Sequence, residues 1–192
     1  ANKLADVAGI TSMEYFRTSL SIDSKSDESP VTIADQNTEL KIRSMIEKEY
    51  PNHGILGEEF ESVNPDAEFI WVIDPIDGTR SYIAGHKDFG NLISLTQNKK
   101  PIIGIINCPA HDERWVGVRN QNSTVNQKIV KTSNVTEIED AYIFTSGLYF
   151  DEPQLRNAVD KIKNKVRYFR YGGDCYMYGM VASGLIDIVI ED

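Results

Sequence analysis

Five consecutive β-forming residues, Phe69-Ile70-Trp71-Val72-Ile73, run straight into Asp74-Pro75-Ile76-Asp77-Gly78-Thr79. A hydrophobic strand that ends in this way delivers two carboxylates three positions apart, then a glycine and a hydroxyl. Pro75 stiffens the turn, and Gly78 lets the backbone come close to a ligand. A short helix opening at Thr79 would turn its free N–H groups toward a phosphate. Hard cations such as Mg²⁺ take oxygen ligands in octahedral geometry. A rigid turn at a strand end can aim two carboxylates and the carbonyl between them at one point. The parts of a metal-phosphate site therefore lie within six residues. The competing reading is a capped turn, because Asp, Pro and Gly are turn formers in any case.

The flanking sequence predicts layered α and β elements in one domain spanning residues 1–192. Residues 1–135 read as two helices and a sheet region, and residues 136–192 as the start of a second α/β region. Leu4, Val7, Ala8, Met13 and Phe16 suit one face of a helix over residues 1–17. Ser21 to Ser29 is polar and reads as a loop. Thr32 caps a second helix running to about Lys48, with Asp35 in its first turn and Ile42, Met45 and Ile46 as its buried stripe. Tyr50-Pro51-Asn52 stops it. Ile55-Leu56 forms a short strand before Gly57-Glu58-Glu59. Leu92–Thr96, Ile102–Ile106 and Arg114–Val118 form an antiparallel meander with a hairpin turn at Asn98-Lys99-Lys100-Pro101. Beyond it come a helix from Glu152 to Lys165, a strand from Val166 to Arg170, a helix from Tyr176 to Ser183 and a buried strand from Ile186 to Ile190.

The net charge of −9 argues against a protein that grips nucleic-acid phosphates or an anionic membrane. It leaves room for a small phosphate ester, because bound divalent cations reverse the sign of an acidic cleft. Cys108 and Cys175 lack metal or redox spacing and read as two reduced thiols of a cytoplasmic protein. No apolar run is long enough for a membrane span. His53, His86 and His111 read as surface or structural residues.

Gly57-Glu58-Glu59, the block from Trp71 to Thr79, and Pro30-Val31-Thr32 with Asp35 resemble the inositol monophosphatase superfamily in order and spacing. The resemblance covers nearly the whole chain and implies an αβαβα layered sandwich. It also implies hydrolysis of a phosphomonoester with two or three Mg²⁺ ions. Glu58, Asp74, the Ile76 carbonyl and Asp77 would be metal ligands. Thr79 and Asp35 would form a hydrogen-bonded pair that activates a metal-bound water, with Glu58 contributing to catalysis as a ligand. Gly78 and Thr79 would offer N–H groups to the phosphate, and Glu59 would sit near the site. Lys25 and Asp27 match a loop that covers the metals in relatives. A last metal-ligand aspartate of the family falls after the strand ending at Ile190-Glu191-Asp192, so the C-terminal part of the family fold is expected to be missing. Homodimers are usual among relatives.

Residues Asp77 to Gly85, Phe89 to Leu95 and Tyr171-Gly172-Gly173-Asp174-Cys175-Tyr176 resemble the bacterial-type histidinol-phosphatase branch more than the inositol branch. Gly173, Asp174, Cys175 and Glu191 then become the substrate contacts. Histidinol phosphate carries an ammonium group, which Asp174 and Glu191 could pair with, and an imidazole on which Tyr176 could stack. The competing reading makes Asp174 the N-cap of the following helix. An inositol-phosphate or broad sugar-phosphate monoesterase is the alternative within the class. A silent binding protein is the alternative outside it.

Overall fold

The computed structural model describes residues 1–19, 22–24, 30–147 and 152–191. Helix α1 (Asn2–Tyr15) is followed by a two-stranded antiparallel ribbon, β1 (Ile22–Ser24) and β2 (Pro30–Thr32), and then by α2 (Ile33–Glu49). The stretch expected to be loop therefore begins with a strand, while Lys25, Asp27 and Ser29 lie outside the described residues. Next come β3 (Gly54–Gly57), β4 (Phe69–Asp77), the short helix α3 (Thr79–Ile83), β5 (Gly90–Gln97), β6 (Lys100–Cys108), β7 (Glu113–Val118), β8 (Thr124–Val125) and β9 (Lys128–Ile129). Strands β3 to β9 form one sheet in chain order. Every pair in it is antiparallel except β3 with β4. A second, parallel sheet of order β11-β10-β12 is built from β10 (Tyr142–Thr145), β11 (Tyr168–Tyr171) and β12 (Ile188–Val189), with α4 (Pro153–Lys163) and α5 (Asp174–Ala182) between its strands.

The sequence explains the first half well. Thr32 and Asp35 form a reciprocal capping box at the start of α2: the Thr32 hydroxyl accepts from the Ala34 N–H, and Asp35 accepts from the Thr32 N–H. Ile42 and Ile46 are fully buried and meet Ile55, Trp71, Ile73, Ile93, Leu95 and Ile105 from the sheet. The β5–β6 turn is the expected hairpin, with Asn98 and Lys99 both at positive φ.

Helix α1 buries the face that Leu4 and Ala8 suggest, and polar residues continue it where Met13 was expected. Leu4, Ala5, Ala8, Gly9, Thr11 and Ser12 are inside, while Met13 is exposed and Phe16 lies past the helix. Thr11 and Ser12 can be buried because their hydroxyls donate to the carbonyls of Val7 and Gly9 on their own helix. Hairpin β8–β9 and strand β10 carry too few residues to stand out by pattern. The last strand is shorter than expected and half-buried.

Helices α1 and α2 cover one face of the large sheet. Helix α5 packs on the other face against β5 and β6, tied down by a hydrogen bond from the Trp115 indole to Ser183. The C-terminal ends of β3 and β4 and the N-terminal end of α5 thus meet at one edge of the fold. Ile42→Ala should cost roughly 2–5 kcal/mol, because it opens a cavity where α2 meets the sheet; urea unfolding measures this directly.

Candidate active site

Parallel pairing sets the geometry. Gly57 pairs with Ile73, so the next residues, Glu58 and Asp74, leave the same end of the sheet side by side. Strand β4 does not stop at Asp74 as the sequence suggested. Its register with β5 slips between Asp74 and Asp77, and pairing resumes at Asp77 with Gly90. The slip re-aims the chain and leaves Asp74-Pro75-Ile76-Asp77 as a bulge held on both sides. Asp74 accepts from the Ile76 N–H at 3.1 Å, and the buried Asn91 amide donates to the Pro75 carbonyl at 2.7 Å. Asn91 is held in turn by Asn107, and Asn107 by Arg114. This buried polar chain stiffens the turn from behind, and nothing local in the sequence announces it.

Gly78 has φ +79 and ψ 40. The left-handed turn explains the glycine, and helix α3 begins at Thr79 as expected. A side chain at 78 would also strike Asp174, whose Cγ lies 2.8 Å from the position of such a Cβ.

The carboxylates crowd one another. Burial, then the charges of Glu58 and Asp77, a hydrogen bond to Glu58 and the charge of Asp35, push Asp74 up to about 9. Asp77 is raised by burial and by Asp174 and Glu191, against the lowering effect of its hydrogen bonds from Cys175. Asp174 is raised by burial, partly offset by Ser81. The donor set is all oxygen, acidic and starved of positive charge, which fits a hard divalent cation in kind. Among the described residues, no three acidic, histidine or cysteine side chains already converge at metal-binding spacing. The Asp77 carboxylate instead accepts the Cys175 N–H at 2.7 Å.

Other expected residues fall into two groups. Asp35 is buried, and its Oδ2 accepts from the Thr32 N–H at 2.8 Å and from the Thr32 hydroxyl at 2.6 Å. The Thr79 hydroxyl donates to the Ile76 carbonyl at 3.1 Å rather than to Asp35, because the turn at Gly78 folds it back over that oxygen. Asp174 is not a cap. Helix α5 starts at Asp174 itself, with Gly173 in the cap position and no side-chain cap. Gly172, Gly173 and Asp174 all have positive φ, and this turn sends the Asp174 carboxylate to the Ser81 hydroxyl at 2.5 Å. The Ser81 contact was not anticipated. Glu191 accepts from the Ser146 N–H and the Tyr178 hydroxyl.

Two residues expected to meet the substrate have other partners in the structure. The Cys175 side chain is buried against Cys108 and Trp115, and both its thiol and its backbone N–H bear on Asp77. Both cysteines are free thiols. Tyr176 already stacks on an imidazole, that of His111, with ring centroids 4.2 Å apart, and its hydroxyl donates to Glu113. The histidines do structural work: His111 and His86 meet Asp88, and His53 accepts from the Trp71 indole.

A cleft of 430 Å³ opens beside Ser81, lined by His86, Asp88, Arg170, Tyr171 and Gly173 among others. A larger cavity of 860 Å³ lies between α1 and β6–β7, away from Glu58, Asp74, Asp77 and Asp174. No helix among the described residues is long and apolar enough to cross a membrane.

The layered fold and this acidic strand end agree with known proteins. The pattern that defines the inositol monophosphatase family matches residues 1–192, and the chain belongs to that family. It is 40% identical to the chloroplast bifunctional phosphatase IMPL2 of Arabidopsis thaliana over 99% of this chain, and spans 56% of that protein. It is 36% identical to a histidinol-phosphatase of Chlorobaculum parvum, covering 100% of this chain and 74% of that one. A solved inositol monophosphatase from Zymomonas mobilis superposes with a TM-score of 0.89 at 42% identity, covering 100% of this chain and 74% of the other.

The raised carboxyls make metal-free stability depend on pH. A carboxyl whose folded pKa lies above its ordinary value of 3.8 favours the fold fully below that value, and the contribution fades as pH rises toward about 9. Metal-free protein should melt at a lower temperature at pH 8 than at pH 5. Asp74→Asn should flatten that slope, and a divalent cation should restore the melting temperature at pH 8. Thermal melts with EDTA and with Mg²⁺ give all three comparisons.

Proposed function

We propose that the chain carries the metal site of a Mg²⁺-dependent phosphomonoesterase. The observation behind this reading is the parallel β3–β4 pair, which ends in Glu58 and Asp74 and leads through Asp77 and Gly78 into α3. Members of the family generally use Mg²⁺. Glu58, Asp74, the Ile76 carbonyl and Asp77 would hold the two or three ions. Mg²⁺ held there would supply positive charge that lowers the pKa of water toward neutrality and offsets the charge gathering on the phosphoryl oxygens.

The remaining roles belong to the chain. Asp35 and the Thr79 hydroxyl would take up the proton of the attacking water. For this the hydroxyl must turn from the Ile76 carbonyl toward Asp35, and a cation on that carbonyl competes for the same oxygen. The Gly78 and Thr79 N–H groups, at the start of α3, would face the phosphate. Positioning and electrostatics carry the rate, and no covalent phosphoenzyme is needed.

We infer histidinol phosphate as the substrate. Asp174 and Glu191 both act electrostatically on Asp77, so both stand near the reacting end. Asp174 is not spent on capping α5 and suits an ammonium group in a charge-assisted contact. With Tyr176 already stacked, the substrate imidazole would lie in the cleft beside Ser81. The histidinol-phosphatase relatives support this reading. The 42% identity to the Zymomonas inositol monophosphatase favours the alternative, an inositol phosphate.

Phosphate release by the full-length protein with Mg²⁺, from histidinol phosphate and from inositol 1-phosphate, separates the two. The expected result is a preference for histidinol phosphate that EDTA abolishes. Asp174→Asn should lower kcat/KM for histidinol phosphate by roughly 10–100-fold, as loss of a charged hydrogen bond does. It should raise inositol 1-phosphate turnover modestly, because it removes a negative charge beside the phosphate site. A preference for inositol 1-phosphate would keep the metal chemistry and overturn the substrate.

A further inference from the structure

We propose that Glu39 is the positioning residue for Glu58, acting through the backbone on either side of it. The inference rests on the reading of Glu58 as a metal ligand.

Glu39 lies in the middle of α2, and its side chain is 0% exposed. One carboxylate oxygen accepts from the Arg43 guanidinium at 2.7 Å, one helical turn on. The other accepts from the Glu59 N–H at 2.9 Å. A Cβ on Gly57 would fall inside the Glu39 carboxylate, so residue 57 is glycine because the acid occupies that space. Arg43 completes the clamp by donating to the Phe60 carbonyl at 2.9 Å and lying over the Phe60 ring. Residues 57, 59 and 60 are therefore all gripped from α2, and Glu58 sits between gripped neighbours.

Stability alone is a poor account of this arrangement. A buried ion pair is costly to desolvate, and well-packed hydrophobic residues often replace one at no loss of stability. Such residues could not hold the Glu59 N–H. A carboxylate aimed at a backbone N–H makes a strong, directional bond. A ligand one residue away gains a fixed backbone from which to point. Asp35, four residues earlier on the same helix, faces the same end of the site. One helix thus sets both the proposed proton acceptor and the proposed ligand.

The test uses the full-length protein and three variants: Glu39→Gln, the double variant Glu39→Met/Arg43→Met, and Glu58→Gln. Binding of Mn²⁺, a paramagnetic stand-in for Mg²⁺, is followed by electron paramagnetic resonance. Melting temperature and the Mg²⁺ dependence of phosphate release are measured beside it. The double variant leaves no unpaired buried charge, so it should melt near the parent. It should nonetheless bind Mn²⁺ about 10–100-fold more weakly, the usual effect of losing a residue that orients a ligand, with a parallel rise in the Mg²⁺ needed for half-maximal turnover. Glu39→Gln keeps an acceptor for the Glu59 N–H and should fall between the parent and the double variant. Either Glu39 variant melting like the parent and binding Mn²⁺ with the parent's affinity would overturn the proposal. Parent-like Mn²⁺ binding by Glu58→Gln would overturn the reading of Glu58 itself, and the positioning role with it.

Discussion

The burial of neighbouring carboxylates, with their mutual repulsion added to it, is the constraint around which this edge of the fold is organised. Asp74, Asp77 and Asp174 all have raised pKa values, and burial is the first cause each time. In water such groups would separate and be solvated. Here parallel β3 and β4 force Glu58 and Asp74 out together, and the register slip in β4 holds Asp77 close by. A fold that spends stability on crowding like charges has either a cation to bind or a proton to hold. Without a cation, burial and the neighbouring charges of Glu58 and Asp77 favour the second course at Asp74. Family membership and the all-oxygen donor set favour the first course for the working protein.

The surrounding structure resists this repulsion from several directions. The Arg114–Asn107–Asn91 chain reaches the Pro75 carbonyl through the sheet. The Cys175 N–H reaches Asp77 from α5, whose position is fixed by Trp115 and Ser183. Helix α2 holds the Gly57–Phe60 segment through Glu39 and Arg43. All are hydrogen-bonded groups that apolar packing could not replace, because what they control is direction rather than burial.

What the sequence makes legible is whatever is local. The turn from Asp74 to Thr79 carries its chemistry within one stretch. The Thr32–Asp35 box announces the start of α2. The meander follows from alternation and a two-residue turn. Long-range meaning was hidden. Glu39 and Arg43 carry no local signal of burial, which depends on a loop twenty residues on. Asp174 reads as a cap by local pattern, and only the positive φ values of Gly172 and Gly173 show that its carboxylate points elsewhere. Thr11 and Ser12 lie on the buried face of α1 although they are polar, because their hydroxyls are satisfied within the helix. Tyr176 offers a stacking surface in sequence, and His111 takes it in space.

The same separation of local from long-range bears on substrate choice. The proposed metal-phosphate turn is built from contiguous residues that would treat all phosphomonoesters alike, since every such substrate presents the same phosphoryl group. Discrimination has to come from groups that meet the alcohol. In the proposed reading these arrive from a distant segment: Asp174 comes in on α5 to bond Ser81 on α3, and Glu191 follows β12. An acidic side chain directly against the phosphate cradle would be unfavourable for a neutral polyol phosphate, since it adds repulsion toward the anion and gains nothing from the alcohol. For a substrate with an ammonium group, the same carboxylate offsets that repulsion with a direct ion pair. The position of Asp174 against Gly78 is therefore more easily reconciled with a cationic alcohol than with a neutral one.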